Sequence, residues 1–288
     1  MRVLVTGATG FIGNYFIEKC KKKYTIKSFS LSKNSLDTLD LKVTDVVLHL
    51  GAYVHHRDTP SSQEYYRVNV KQSLALARKA KKEGVKHFIF MSSISVYGVE
   101  SGTIDEKTPC NPLSDYGKSK LEAEQELLKL VDKTFRVTNI RPPLVYGYNA
   151  PGNMKSLINL IKKVPFLPFG KINNRRSMIY VGNLAYFIEI IIKKQSSGVF
   201  LVADGEALST TRLIELIAGA LERKIYLLKV PFFESLLKLL KPSFYKRLFL
   251  SLEINNKETV HKLFGSDGNP LPYSVEEGIK LMIEGEQK

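Results

Sequence analysis

The sequence encodes an α/β protein built on a doubly wound parallel sheet, with a smaller, mixed α/β part toward the C-terminus. Three observations lead there. Strand-like and helix-like stretches alternate through residues 1–148, a glycine-rich turn joins the first strand to the first helix, and after about Tyr148 proline, glycine and lysine break the pattern. Alternation on that scale implies right-handed βαβ crossovers and a sheet covered by helices on both faces. Residues 149–288 are expected mainly to face substrate, with some segments packing back on the first part.

The first strand is the β-rich run Arg2-Val3-Leu4-Val5-Thr6, ended by glycine, and Ile12, Phe16, Ile17 and Cys20 then recur at helical spacing. Ile26 to Leu31 reads as the second strand. Only Ser32 to Asp45 separates it from the next one. That stretch has room for a strand near Leu39-Asp40-Leu41 but not for a full helix, so one crossover helix is expected to be missing or reduced to a turn. Val46 to Leu50 is nearly all apolar, which suits a parallel strand buried on both faces, and Ser61 to Lys82 is helical. His87 to Met91 forms a further strand, Asp115 to Leu130 a helix capped by Ser or Asp, and Val137 to Ile140 another strand.

Composition agrees with a soluble globular chain. Of 288 residues, 44% are hydrophobic and 25% charged, which excludes collagen-like, low-complexity and wholly disordered classes. No apolar stretch approaches the ~18 residues of a spanning helix, since Glu189 interrupts even Phe187 to Ile192. The chain enters a strand at Arg2 without an apolar leader or cleavage site, so a cytoplasmic location is expected. Cys20 and Cys110 have neither CxxC nor metal-ligand spacing, and neither a disulfide framework nor a metal site is expected. The 43 Lys and Arg against 28 Asp and Glu give a net charge of +15. These cations are scattered, with no stripe or module of a nucleic-acid binder. A solvated lysine-rich surface is the simplest account, and attraction for anionic nucleotides or an anionic membrane surface stays open.

Chemistry enters with the turn Gly7-Ala8-Thr9-Gly10-Phe11-Ile12-Gly13. A glycine turn alone is usually just a strand-to-helix connection. Here it lies between a predicted strand and helix, where Gly7, Gly10 and Gly13 let the backbone of Thr9, Phe11 and Ile12 approach a pyrophosphate at the positive end of the helix. A second constellation supports that reading. Tyr116 and Lys120 are four apart on a predicted helix, which places phenol and ammonium on one face, where the positive charge is expected to lower the tyrosine pKa. Ser93 lies at the end of a predicted strand, and strand carboxyl ends are where open α/β sheets bind ligands. Individually, Ser93 could cap a loop and Tyr116 could decorate a helix; with the glycine turn they form a site.

The choice of dinucleotide rests on the end of the second strand. NAD-specific folds usually carry a carboxylate there for the ribose 2′-hydroxyl. This chain has Ser30, Ser32 and Lys33 instead, which favours NADP(H) and leaves NAD(H) open.

Together, GATGFIG at 7–13, LHLGA at 48–52, SSxxxYG ending at Gly98, Tyr116-Gly117-Lys118-Ser119-Lys120, Arg141 to Gly147 and Arg176 to Val181 resemble an extended short-chain dehydrogenase/reductase of the NAD(P)-dependent nucleotide-sugar epimerase/dehydratase group. Leu167 to Ser177 and Asp204 to Thr210 are most similar to the UDP-4-keto-6-deoxy-N-acetylhexosamine C4-reductases. The resemblance implies an NAD(P)-binding Rossmann-type domain over residues 1–148 and a mainly substrate-binding part over 149–288. Ser93 would bond the reacting carbonyl, Tyr116 would exchange its proton, and Lys120 would hold the nicotinamide ribose and tune Tyr116. Leu50, Gly51, Ala52, Asn69, Pro142 and Val145 would line the cofactor, with Gly51 standing where the family usually has alanine. Asp40-Leu41 is the expected adenine contact. Arg176 and Asn153 would hold the substrate diphosphate, and Phe169 would lie beside the uracil.

The activity so implied is NADPH-dependent C4-keto reduction of a UDP-4-keto-6-deoxy-N-acetylhexosamine, giving a UDP-QuiNAc or UDP-FucNAc type product for surface polysaccharide. The alternative is an NAD-dependent UDP-hexose or UDP-HexNAc 4-epimerase; the second alternative is a non-catalytic NADPH-binding regulator. A UDP-sugar partner and a homodimer are expected. Lys229 to Leu250, apolar and basic, reads as core or an oligomer contact, with an interfacial helix at a membrane as the minority reading. Pro242 would break it.

Overall fold

The computed structural model describes residues 1–54, 61–266, 268 and 271–285. In chain order the first half runs β1 (Arg2–Thr6), α1 (Phe11–Cys20), β2 (Thr25–Phe29), β3 (Val46–His49), α2 (Ser62–Tyr65), α3 (Ser73–Lys82), β4 (His87–Met91), β5 (Gly102–Ile104), α4 (Asp115–Leu128) and β6 (Arg136–Arg141). The second half continues with β7 (Leu144–Tyr146), α5 (Asn153–Lys163), β8 (Phe166–Leu167), β9 (Met178–Tyr180), α6 (Val181–Lys194), β10 (Gly198–Leu201), α7 (Thr210–Ala220) and β11 (Tyr226–Leu227). It closes with α8 (Phe233–Leu240), α9 (Pro242–Phe249), β12 (Leu252–Ile254), α10 (Lys257–Phe264) and α11 (Val275–Glu284).

Six parallel strands form the main sheet in the order β10-β6-β4-β3-β1-β2. β3 and β4 are buried along their whole length, as their largely apolar runs require, each with one buried histidine at one end. From β1 the chain moves outward to β2 and then returns to β3 on the other side. The carboxyl ends of β1 and β3 therefore flank the point where strand order reverses, the usual crevice for a ligand in such a sheet. One core packs α1 and α6 on one face, and another gathers Leu76, Ala80, Ala123 and Leu127 of α3 and α4 on the other. A third core, from Tyr146 to Met282, holds the C-terminal part together. β10 and α6 come from beyond residue 149 yet pack with the first sheet.

Two expectations are corrected. β2 stops at Phe29 because Ser30 opens a turn whose carbonyl accepts from the N–H groups of Lys33 and Asn34. The stretch to β3 contains only a 3-10 turn, Leu36–Thr38, and Leu39-Asp40-Leu41 is not a strand. Leu39 and Leu41 instead plug the α3 side of the core, and the Leu41 N–H donates to Glu83 Oε2 beyond the end of α3 at 2.7 Å. Thr44 N–H bonds Leu41 O and Asp45 N–H bonds Arg2 O, so this segment descends to the amino ends of the strands. Asp40-Leu41 thus points away from the carboxyl-end crevice and is not placed for the adenine.

Candidate active site

The glycine turn is tight for reasons that can be measured. Gly7 has φ +71°, and a Cβ there would lie 2.6 Å from Gly51 N, so the loops after β1 and β3 touch backbone to backbone. A Cβ at Gly13 would lie 2.3 Å from Gly7 O, whereas one at Gly10 would sit at 3.2 Å from the same oxygen. Gly10 precedes α1, which has no side-chain cap and no acidic residue in its first turn. The positive end of that helix and its open N–H groups are left for an anion. These residues fit a dinucleotide pyrophosphate: the cradle closes only without side chains, and nothing in the first turn competes with the phosphate. Phe11 leads into α1 at the cradle, and a Cβ on Gly147 would come 3.1 Å from its ring, so the turn after β7 closes over the same end.

Ser93 follows β4 and caps a 3-10 turn by accepting from Ser95 N–H at 3.1 Å. Tyr116 is in the first turn of α4, whose start is fixed by Ser114 Oγ accepting from Gly117 N–H at 3.1 Å. Gly117 is what lets the two approach, because a Cβ there would lie 2.5 Å from Ser95 O. The Ser93 side chain lies beside Tyr116, and its Oγ donates to Ser95 Oγ at 3.0 Å. One helical turn on, Lys120 is 2% exposed, donates to Met91 O at 2.8 Å, and sits 4.5 Å from the centroid of the Phe90 ring and 5.9 Å from that of Tyr116.

The electrostatics of this trio reverse one expectation. Burial pushes Tyr116 up to about 12, opposed by the Ser93 hydroxyl. Burial also pulls Lys120 down to about 7, opposed by Glu124. The ammonium therefore does not lower the tyrosine: the pocket is dry enough to disfavour both charges. Glu124 is itself held by Arg141 through a buried bidentate pair, at 3.0 Å and 3.2 Å to the guanidinium Nε.

Asn69 lies in a π-helical stretch, Tyr66–Gln72, between α2 and α3. Such bulges mark functional sites more often than chance. Its Oδ1 accepts from Tyr53 N–H at 2.8 Å, and its Nδ2 donates to Tyr53 O at 3.1 Å and to Ser119 Oγ at 3.0 Å. The loop Leu50-Gly51-Ala52 is thereby tied to the helix that carries Tyr116. Below it runs a chain that sequence reading missed. Ser73 Oγ donates to Asn69 O at 2.8 Å, leaving it to accept from His49 Nε2 at 2.8 Å, so His49 Nδ1 accepts from Thr6 Oγ1 at 2.5 Å. Burial and the charge on Lys120 hold His49 down to about 3, and it stays neutral. The clue in the sequence was a lone polar residue closing the apolar run Val46 to Leu48.

The remaining predicted residues divide. Pro142 O accepts from Ile94 N–H at 3.1 Å, which joins the end of β6 to the Ser93 turn, and Val145 pairs with Ile179 beside it. Ser30 and Ser32 hydroxyls are 3.1 Å apart at the outer end of β2, with Lys33 following. Asn153 is exposed at the start of α5. Phe169 is buried and packs edge-on against Phe233 at 6.0 Å. Arg176 Nη1 donates to Lys246 O and Leu250 O at 3.2 and 3.0 Å, so its guanidinium is engaged at the end of α9. A further buried cluster joins the two parts: Asp204 accepts from Tyr146 Oη and Asn183 Nδ2, both at 2.8 Å, and from Tyr180 N–H at 3.0 Å.

Known proteins agree with this architecture. Residues 3–203 match the NAD dependent epimerase/dehydratase family. The chain is similar to a UDP-glucose 4-epimerase of Vibrio cholerae, 35% identical over 96% of this chain and 93% of the relative. It is also similar to the N-acetyl-alpha-D-glucosaminyl-diphospho-ditrans,octacis-undecaprenol 4-epimerase of Escherichia coli O157:H7, 32% identical over 80% of this chain and 75% of that one. In fold it is similar to the UDP-N-acetylglucosamine 4-epimerase from Bacillus cereus, with a TM-score of 0.77 at 21% identity, covering 99% of this chain and 100% of the other. With the glycine cradle at the sheet's reversal point and the Ser93, Tyr116 and Lys120 trio beside it, the chain belongs to the NAD-dependent epimerase/dehydratase family of enzymes.

Proposed function

We propose that this protein is a 4-epimerase of a diphosphate-linked sugar, oxidising C4 and reducing it again on the opposite face. The observation that carries the reading is the packing of the Tyr116 helix turn against the Ser93–Ser95 turn, with the buried Lys120 5.9 Å from the Tyr116 ring at the carboxyl-end crevice. The neighbouring hydroxyls of Tyr116 and Ser93 suit an oxygen that is alternately alcohol and ketone. The two relatives described above, both 4-epimerases, support epimerisation over the 4-keto reduction that the sequence suggested.

When bound, the nicotinamide supplies reversible hydride acceptance at C4. Gly7, Gly10 and Gly13 would hold its pyrophosphate, Lys120 its ribose, and the loop fixed by Asn69 its other side. Tyr116 Oη would take the proton of the C4 hydroxyl on oxidation and return it to the same oxygen on reduction, a role typically worth on the order of 10²–10⁴-fold in rate. Ser93 Oγ donates to the same oxygen and steadies it as a ketone. As Tyr116 rests near 12, its use as a base requires added positive charge nearby, from Lys120 and the oxidised cofactor ring. The part after Tyr148 is assigned to the sugar diphosphate, with Asn153 and Arg176 as diphosphate contacts and Phe169 on the base side.

The second reading is an NADPH-dependent 4-keto reductase, which the lack of a carboxylate at Ser30, Ser32 and Lys33 favours. One experiment separates the two. Purified protein is incubated with UDP-GlcNAc, UDP-glucose and a UDP-4-keto-6-deoxy-N-acetylhexosamine, with and without NADPH, and products are identified by NMR. Interconversion of C4 epimers without net cofactor consumption supports the epimerase; stoichiometric NADPH oxidation with the keto sugar alone supports the reductase.

A further inference from the structure

Helices α8 and α9 carry no buried residue, although the segment Lys229 to Leu250 is one of the most apolar in the chain. Their inner side chains, Phe233 and Leu248 among them, pack on the C-terminal core. The outer ones do not. Phe232 is 87% exposed, Leu239 79%, Leu240 64%, Leu236 53% and Phe244 54%. Leu236, Leu239 and Leu240 are spaced i, i+3 and i+4 and so share one side of α8, and the exposed Phe232 stands just before its first residue. Phe232 is doubly unfavourable where it stands, because its φ of +60° belongs to the left-handed region that suits glycine or asparagine. A large aromatic residue held exposed in that conformation needs something to cover it.

Charge indicates what. Around the stripe stand Lys229, Lys238, Lys241, Lys246 and Arg247 against a single acid, Glu234, in a chain of net charge +15. Lys246 is paired with Glu100 from outside the segment, and Lys238 leans on the Tyr245 ring at 5.7 Å. Two eight-residue helices present a face of roughly 12 by 20 Å, far below the ~800 Å² per partner of a stable protein interface. That size suits an amphipathic element lying in a lipid headgroup layer, with its apolar face buried and cations toward anionic lipid.

We propose that the α8–α9 hairpin is an interfacial anchor that docks this protein on an anionic phospholipid surface. The anchor is coupled to the candidate substrate region, since Arg176 bonds the last carbonyls of α9 and Phe233 covers Phe169. Docking would therefore hold that region against the bilayer. The proposal does not depend on the reaction assigned above.

The test is flotation of the full-length protein with vesicles of phosphatidylcholine alone and of phosphatidylcholine mixed with phosphatidylglycerol, at low and high salt. Binding to the mixed vesicles, weakened by salt and by omitting phosphatidylglycerol, is expected. Phe232→Gly relieves the backbone at that position, and Leu239→Glu changes a side chain that is 79% exposed, so both variants should melt and bind NADPH like the parent. Each is expected to lower the vesicle partition coefficient on the order of tenfold or more. Three results would overturn the proposal: no binding of the parent protein to mixed vesicles, equal binding of parent and variants, or equal binding to neutral vesicles. Self-association of the parent without vesicle binding, lost in Leu239→Glu, would assign the face to a second copy and overturn it too.

Discussion

Asn69 and Tyr53 exchange a pair of hydrogen bonds, Tyr53 N–H to Oδ1 at 2.8 Å and Nδ2 to Tyr53 O at 3.1 Å. This side chain takes the place of a β-ladder partner for a loop that has none, and the π-helical stretch is what aims it there. Asn69→Ala leaves Tyr53's backbone groups and Ser119 without that partner. Each unsatisfied buried group typically costs ~1–3 kcal/mol. The expected outcome is a lower melting temperature and weaker NADPH binding by fluorescence titration; unchanged affinity would make Asn69 purely structural.

Replacing Tyr116 with Phe removes one hydroxyl and little volume. Turnover is expected to fall on the order of 10²–10⁴-fold while dinucleotide affinity stays near that of the parent, since the hydroxyl acts on the sugar oxygen. Steady-state kinetics with a cofactor titration on the same preparation checks both halves. Near-parental turnover would remove Tyr116 from the proton-transfer step.

The glycines of the turn are not equivalent. Gly7→Ala and Gly13→Ala put a Cβ 2.6 Å from Gly51 N and 2.3 Å from Gly7 O, against backbone that cannot swing away. Gly10→Ala meets Gly7 O at 3.2 Å, a contact that a few tenths of an ångström relieves. Cofactor binding should be abolished in the first two and merely weakened in the third. Equal loss in all three would point to the helix end, not the loop contact, as the determinant.

Much of this was legible in the sequence because it rests on local patterns. The Gly7 to Gly13 turn and the Tyr116-Lys120 spacing each lie within one connection or one helix, so adjacency in the chain is adjacency in space. What failed is non-local. Leu39 to Leu41 has strand-like residues, but its backbone is satisfied by Glu83 and by turns, a pairing that only the packed α3 supplies. The direction of the Tyr116 shift also escaped, because helix spacing reports the distance to Lys120 and says nothing of how dry the pocket is. Gly117 was read as part of a motif, and its steric reason, Ser95 O, comes from another segment.

Lys120 makes stability depend on pH in a definite direction. Its folded pKa of about 7 lies below the ordinary lysine value of 10.5, so between those values the unfolded chain binds more protons and stability rises with pH. Lys120→Met keeps the volume and removes the titration. Relative to this variant, the parent is expected to gain on the order of 2 kcal/mol between about pH 6 and pH 9 in urea unfolding of the cofactor-free protein. A pH-independent difference would mean that Lys120 stays fully charged in its burial site.

The end of β2 should set which dinucleotide is held. Phe29 pairs with Thr6, directly before Gly7, so Ser30 follows at the level of the cradle on the outer strand of the sheet. Its hydroxyl is 3.1 Å from that of Ser32, its carbonyl is occupied by the Lys33 and Asn34 N–H groups, and Lys33 is the nearest cation in the turn. Two hydroxyls and an ammonium can donate to a 2′-phosphate, whereas a carboxylate would repel it and accept instead from a free 2′-hydroxyl. The parent is therefore expected to bind NADPH more tightly than NADH. Ser30→Asp should reverse that order, weakening NADPH on the order of tenfold or more with little loss for NADH, and Lys33→Ala should weaken NADPH alone. Calorimetric titration of both dinucleotides against the three proteins measures this directly. Tighter NADH binding by the parent would move the 2′-position away from this turn and remove the main support for the reductase reading.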